Sequence, residues 1–139
     1  MSLKTNLQKT SGKPAATTGK KASRSSCPSE HVEHRNFVSQ FKKRWPGVII
    51  FSVPNGGKRG KVTAHKLSLE GLLPGVPDLF VPEWRLWVEM KRQKGGRLSA
   101  AQKEVIPELE RVGYEVIVGH GCDDALSRIT AFLKQKSGR

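Results

Sequence analysis

The feature that most limits how this chain can fold is a pair of short apolar runs held four residues apart. Asp78 to Val81 and Leu86 to Lys91 each read as a strand, and only Pro82-Glu83-Trp84-Arg85 lies between them. A linker that short makes the two strands antiparallel neighbours, because a parallel return needs a crossover of a dozen or more residues. With the turn centred between Glu83 and Trp84, Phe80 opposes Trp87 and Asp78 opposes Glu89. Side chains alternate along a strand, so Trp87, Glu89 and Lys91 project one way and Leu86, Val88 and Met90 the other. One face is greasy, and the other carries a carboxylate and an ammonium two residues apart. Opposed residues lie roughly 4.5–5.5 Å apart at Cβ, so the hairpin brings Asp78 and Glu89 together.

The remaining elements build around that hairpin. Ser29 is placed to cap a helix whose apolar residues Phe37, Val38, Phe41 and Trp45 recur at helical spacing, and Pro46-Gly47 ends it. Val48 to Val53 is short, apolar and β-branched, and reads as a buried strand. Val62 to Glu70 reads as a short helix closed by Gly71. Ser99 caps another helix, with Gln102 at the capping-box position, and Pro107 inside it is expected to kink or split it. Tyr114 to Val118 reads as a fourth strand, and Asp123 as the cap of a last helix running towards Leu133. The resulting order predicts an α/β fold, a mixed sheet of about four strands flanked by helices.

The chain's 139 residues suffice for one compact domain, and their net charge of +13 calls for an anionic partner. That charge is uneven. Residues 1–28 hold Lys4, Lys9, Lys13, Lys20, Lys21 and Arg24 and no acid, in a Ser-, Thr- and Gly-rich setting without apolar periodicity. Such a segment cannot offset the entropy of ordering, so it reads as a disordered basic arm preceding a domain at 29–139. The arm either adds salt-sensitive phosphate affinity or is a solvated leader. No run is long and apolar enough for a membrane span, and the N-terminus lacks the apolar core of a secretory signal. Cys27 and Cys122 lack zinc-ligand spacing, and the simplest expectation is a reduced, intracellular chain.

Two carboxylates on one rigid hairpin repel, and a bound divalent cation relieves that repulsion. All-oxygen ligands favour Mg2+ or Mn2+ over zinc. Such an ion polarises a phosphoryl oxygen and activates water, and Lys91 on the same face can position that water or stabilise developing charge. The bland alternative is an exposed Glu-Lys pair, with Asp78 serving as a turn residue. The basic charge and the facing of Asp78 against Glu89 favour the chemical reading.

These residues also carry a family resemblance. Pro77-Asp78 followed by Glu89-Met90-Lys91 resembles the PD-(D/E)XK nuclease signature. The longer string comprises Pro54-Asn55-Gly56-Gly57, Gly71, Pro74-Gly75-Val76-Pro77-Asp78-Leu79, Glu89-Met90-Lys91, Gly95-Gly96-Arg97-Leu98-Ser99, Gln102 and Gly113-Tyr114. It resembles the VRR-NUC (virus-type replication-repair nuclease) branch, particularly its small stand-alone members from phages and bacteria, over about Ser29 to Leu133. The resemblance implies a restriction-endonuclease-like core, Mg2+ or Mn2+ as cofactor, and structure-selective cleavage of DNA, with homodimers that cut four-way (Holliday) junctions. It also implies a metal-binding Glu on the first helix, matched best by Glu30, with Glu33 as the rival; His34 stands where the family often has Gln. The resemblance further implies a Met90 backbone carbonyl on the metal and an active-site role for Gln102, which competes with its capping-box role.

Softer expectations concern DNA contacts. Asn55, Lys58, Arg59 and Lys61 could line a phosphate strand, or could be solvated residues of a turn. Lys94 and Arg97, beside Gly95-Gly96, form a basic loop just past Lys91. His65 and His120 are expected to be ordinary surface or packing residues, and Trp84 and Trp87 to pack the hairpin. The expected reaction is hydrolysis of a DNA phosphodiester by metal-activated water on branched DNA. The alternatives are a flap- or end-directed nuclease with the same core and a non-catalytic DNA-binding module.

Overall fold

A computed structural model describes residues 26–54 and 60–138. Most of the basic arm, and Asn55, Lys58 and Arg59, lie outside the described residues. Four helices and a four-stranded sheet run in the order α1 (Glu30–Arg44), β1 (Phe51–Ser52), α2 (Lys61–Leu69), β2 (Leu79–Val81), β3 (Leu86–Lys91), α3 (Ala100–Arg111), β4 (Glu115–His120) and α4 (Cys122–Ser137). The sheet order is β1-β2-β3-β4, with β1, β2 and β3 antiparallel and β3 parallel to β4. This is the expected mixed α/β arrangement. No described helix is long and apolar enough to cross a membrane.

The hairpin register is the one expected: Phe80 pairs with Trp87, and Leu79 with Val88. Its turn is a short 3-10 segment, Pro82–Trp84, ended by Arg85 in the left-handed region at φ 50°. β3 lies between β2 and β4, and α3 provides the crossover that a parallel β3–β4 pair requires. Leu86, Val88 and Met90 are fully buried with Phe37 and Phe41 of α1 and Ala125 and Ile129 of α4. Glu89 and Lys91 share this central strand and are buried too. Trp84 joins Phe41 and Trp45 in an aromatic cluster, while Trp87 packs on Phe80 with ring centroids 4.5 Å apart.

Helix α1 starts as its sequence dictates. The Ser29 hydroxyl accepts from the Val32 N–H at 3.3 Å, acids occupy the first turn, and Lys42, Lys43 and Arg44 occupy the last.

Four expectations need correction. Val48 to Val53 is not a buried strand: only Phe51 and Ser52 pair, and Ile49 is 67% exposed. β2, three residues long, gives it little to pair with, and the run lies at the sheet edge. Pro107 does not split α3, which runs unbroken. Its ring and Lys103, whose carbonyl loses its partner there, are both on the exposed side of the helix. α4 is capped by Gly121 at φ 96°, not by Asp123, and extends to Ser137. β4 covers Glu115–His120, slightly later than the expected Tyr114 to Val118.

Candidate functional site

The two acids of the hairpin clasp each other's strands. The Asp78 N–H donates to Glu89 Oε2 at 3.2 Å, and the Met90 N–H donates to Asp78 Oδ2 at 2.9 Å. Asp78 sits in the bend just before β2, so its carboxylate reaches across the hairpin instead of turning to solvent. Lys91 Nζ lies 2.7 Å from Glu89 Oε1, with both side chains buried. Burial raises the Glu89 carboxyl above its ordinary pKa, and the nearby Asp78 charge pushes it further up; the hydrogen bonds and charge of Lys91 and Gln102 pull it back. A cation brought between Asp78 and Glu89 would oppose both upward effects.

Gln102 completes its capping box and also reaches the hairpin. Its side-chain oxygen accepts from the Ser99 N–H at 2.9 Å, and its backbone N–H donates to the Ser99 hydroxyl at 3.2 Å, which completes the capping box. Its Nε2 donates to Glu89 Oε1 at 2.6 Å. The first turn of α3 is thereby tied to the buried carboxylate. Two glycines permit this approach. A Cβ on Gly75, which has φ +94°, would fall 2.4 Å from the Ala101 carbonyl oxygen, and one on Gly96 would fall 2.8 Å from Lys91 Cβ. Sequence reasoning took both as motif glycines without seeing that each makes room for a wall of the site.

Glu30, Asp78, Glu89, Lys91 and Gln102 all line one cavity of about 260 Å³, together with Pro74, Gly75, Val76, Ser99 and Ala101. Glu33 does not. It is buried on the Phe37–Phe41 stripe of α1, and both its oxygens are occupied: Gln93 Nε2 donates to Oε1 at 2.7 Å and the Cys122 N–H to Oε2 at 2.8 Å. Gly121 offers no side chain to cap α4, and Glu33 supplies that acceptor from α1. The two glutamates thus sit differently: Glu30 lines the cavity, and Glu33 fastens α1 to α4 and to the segment after Lys91.

Glu33→Ala is expected to lower stability by about 2–4 kcal/mol, since it strands a buried N–H and leaves a void. Glu30→Ala, at an exposed first-turn position, should stay within about 1 kcal/mol. Urea unfolding without divalent ions measures both, and equal losses would contradict the assignment.

The other expected site residues among those described do not line this cavity with their side chains. Met90 gives its backbone N–H to Asp78 and buries its side chain in the core. Lys61, Lys94 and Arg97 are exposed and do not line the cavity. His120 presents its backbone N–H to Asp124, whose carboxyl is lowered by hydrogen bonds from His120 and Arg128 against the effect of burial. Among the described residues, no three His, Cys, Asp or Glu side chains converge closely enough to hold an ion by themselves. Mg2+ does not require that. It is commonly bound by one or two carboxylates, with waters and substrate phosphates completing its shell. Asp78 and Glu89, with Glu30 on the same cavity wall, fit a hard cation of that kind.

No protein-family model matches the chain, and no curated protein matches it. A solved structure described as "VRR_NUC domain protein" superposes with a TM-score of 0.65 at 24% identity, covering 78% of this chain and 90% of that one. The likeness establishes the fold: an α/β core of the restriction-endonuclease-like type.

Proposed function

We propose that this chain is a Mg2+- or Mn2+-dependent DNA endonuclease of the VRR-NUC type, within the PD-(D/E)XK superfamily. We further propose that it cuts four-way junctions as a homodimer. The observation that carries the reading is the clasp of Asp78 and Glu89 beside the buried Lys91, in a cavity that also contains Glu30 and Gln102. A fold shared with a VRR_NUC domain protein supports it.

Asp78 and Glu89 would hold the ion, with Glu30 and the Met90 carbonyl as further ligands. When bound, such an ion polarises a phosphoryl oxygen and lowers the pKa of an attacking water. The chain's own groups set the geometry. Gln102 and the Asp78 N–H fix the Glu89 carboxylate from two sides. Lys91 Nζ, held by Glu89, would orient the attacking water and neutralise charge growing on the phosphoryl oxygens. One such cavity would cut one strand, so paired incisions across a symmetric junction call for two chains related by a two-fold axis.

The reading is tested by incubating the protein with labelled four-way junction, flap, duplex and single strand, each with Mg2+, Mn2+ or EDTA. Paired nicks flanking the junction crossover, lost in EDTA, are expected. Single flap incisions would instead favour an end-directed enzyme, and DNA binding without cutting in any metal would favour a binding module. Glu30→Ala should reduce cutting on the order of 10- to 100-fold while binding persists.

The raised Glu89 carboxyl yields a pH prediction. Its folded-state pKa lies above the unfolded one, so the stability it contributes is complete below the ordinary glutamate range and is lost as pH rises through the folded value. Above that point the buried charge favours a bound cation. Mg2+ at about 100 times its Kd should therefore stabilise the fold by about 2.7 kcal/mol at pH 8, and by less near pH 4.5. Thermal melts across pH, with and without Mg2+, check this; a pH-independent shift would count against Glu89 as a ligand.

A further inference from the structure

Three hollows follow one another along α1. The carboxylate cavity shares Glu30 and Asp78 with a second hollow of about 410 Å³, which His34 and Arg35 also line. Those two residues in turn border a third, of about 570 Å³, reaching Lys42 on α1 and Ser52 on the edge strand β1. The walls change sign along this path. Acids line the first two hollows, but the third has none, and α1 presents His34, Arg35 and Lys42 to it. Among the described residues neither Arg35 nor Lys42 has an acidic partner, whereas Arg111 and Arg128 are each paired with a carboxylate. The opposite wall is the outermost strand of the sheet, whose far side pairs with no other described strand. Val38, Ile50 and Leu79 make the floor apolar.

We propose that this groove is the bed of one DNA strand leaving the carboxylate cavity, with Arg35 and Lys42 on its phosphates. The inference rests on the nuclease reading and adds a binding surface to it. A strand whose phosphodiester lies at Asp78 has a continuous path outward along α1. From Glu30 to Lys42 the helix rises about 18 Å, at 1.5 Å per residue. With the duplex axis lying along α1, that span covers about five phosphates of one strand, at about 3.4 Å of axis each. An acidic peptide adding to β1 could use the same cations, but it would have no need of a groove that opens into the carboxylates. Neither of the exposed residues Lys94 and Arg97 lines the groove, so the two basic regions can engage different stretches of the substrate.

The test compares full-length R35Q/K42Q with K134Q/K136Q, which removes equal charge from the last turn of α4. Glutamine is a good helix former and the groove positions are exposed, so folding is preserved; circular dichroism melts confirm this. Affinity for a labelled duplex is read by fluorescence anisotropy in EDTA, from 50 to 200 mM salt. The groove variant is expected to bind about tenfold more weakly and to lose about 1.8 from the slope of log K against log salt, for two phosphate contacts. The control is expected to shift by less than about half as much in slope, as a nonspecific loss of charge. Equal shifts in the two variants, or a groove variant that binds like the parent, would overturn the proposal. If the parent cuts DNA while the two variants behave alike, the groove fails and the nuclease reading stands. If the parent neither binds nor cuts DNA, both fail.

Discussion

Replacing Asp78 by Asn is expected to cut the cleavage rate by at least about 10³-fold while leaving the fold and DNA affinity in place. The variant is chosen because Asp78 has a structural duty as well as a proposed chemical one. Its Oδ2 accepts the Met90 N–H at 2.9 Å, and an Asn oxygen can keep that bond, so the hairpin survives the change. What disappears is the charge. Without it Glu89 loses the neighbour that pushes its carboxyl up, so Glu89 should ionise more readily in the variant than in the parent. The site then holds a better-ionised Glu89 and still lacks one of the two hairpin carboxylates proposed to hold the ion. Single-turnover cleavage of a labelled junction gives the rate, and anisotropy in EDTA gives the affinity. Cleavage by Asp78→Asn at the parental rate would end the metal-site proposal, whatever else the protein does.

The second large effect is expected at Lys91. Lys91→Met keeps an unbranched apolar stem but removes the cation that sits 2.7 Å from Glu89 Oε1. A general acid–base or charge-stabilising group contributes about 10²- to 10⁴-fold, and a loss in that range is expected near neutral pH. The sign of the accompanying pH effects follows from Glu89. Lys91 lowers that carboxyl through both a hydrogen bond and its charge, so its removal lets burial push Glu89 higher still. The acid limb of the rate profile should therefore move to higher pH in the variant. Stability should follow the same coupling: breaking a buried pair costs about 3–5 kcal/mol when the remaining charge is unpaired, but a protonated Glu89 escapes most of that cost. The destabilisation of Lys91→Met should accordingly grow from pH 5 to pH 8. A pH-independent loss of stability, or an unshifted acid limb, would mean that Lys91 and Glu89 are not coupled as the geometry requires.

How much of this was legible in the sequence depends on how local each constraint is. The hairpin was fully legible, because a four-residue linker and strict alternation leave one register, and that register alone sets Asp78 against Glu89. The capping box of Gln102 was legible, but its bond to Glu89 at the same time was not, since the approach of α3 to β3 depends on Gly75 and Gly96 making room. The assignment of Glu33 could have been read and was not. It precedes Phe37 by four residues and Phe41 by eight, on the stripe that faces the core, where a carboxylate needs partners. Those partners are remote: Cys122, 89 residues on, and Gln93. The exposure of Ile49 and Phe51 was hidden for a similar reason, because an apolar run does not announce that it will lie at a sheet edge. The groove along α1 could not be foreseen either, since its far wall comes from that same misread segment.

The most direct test of the central claim is a metal add-back on the parent protein. The protein is stripped with EDTA and dialysed, and first-turnover cleavage of a labelled four-way junction is followed as Mg2+, Mn2+ or Ca2+ is restored. The metal-free Asp78–Glu89 clasp should give no cleavage. Activity should return in a saturable way with Mg2+ and Mn2+, and the midpoint should move to lower metal concentration as pH rises and Glu89 ionises. Cleavage that proceeds unchanged in EDTA, or that never returns with any divalent ion although the junction is bound, would contradict a metal-dependent nuclease built on Asp78 and Glu89.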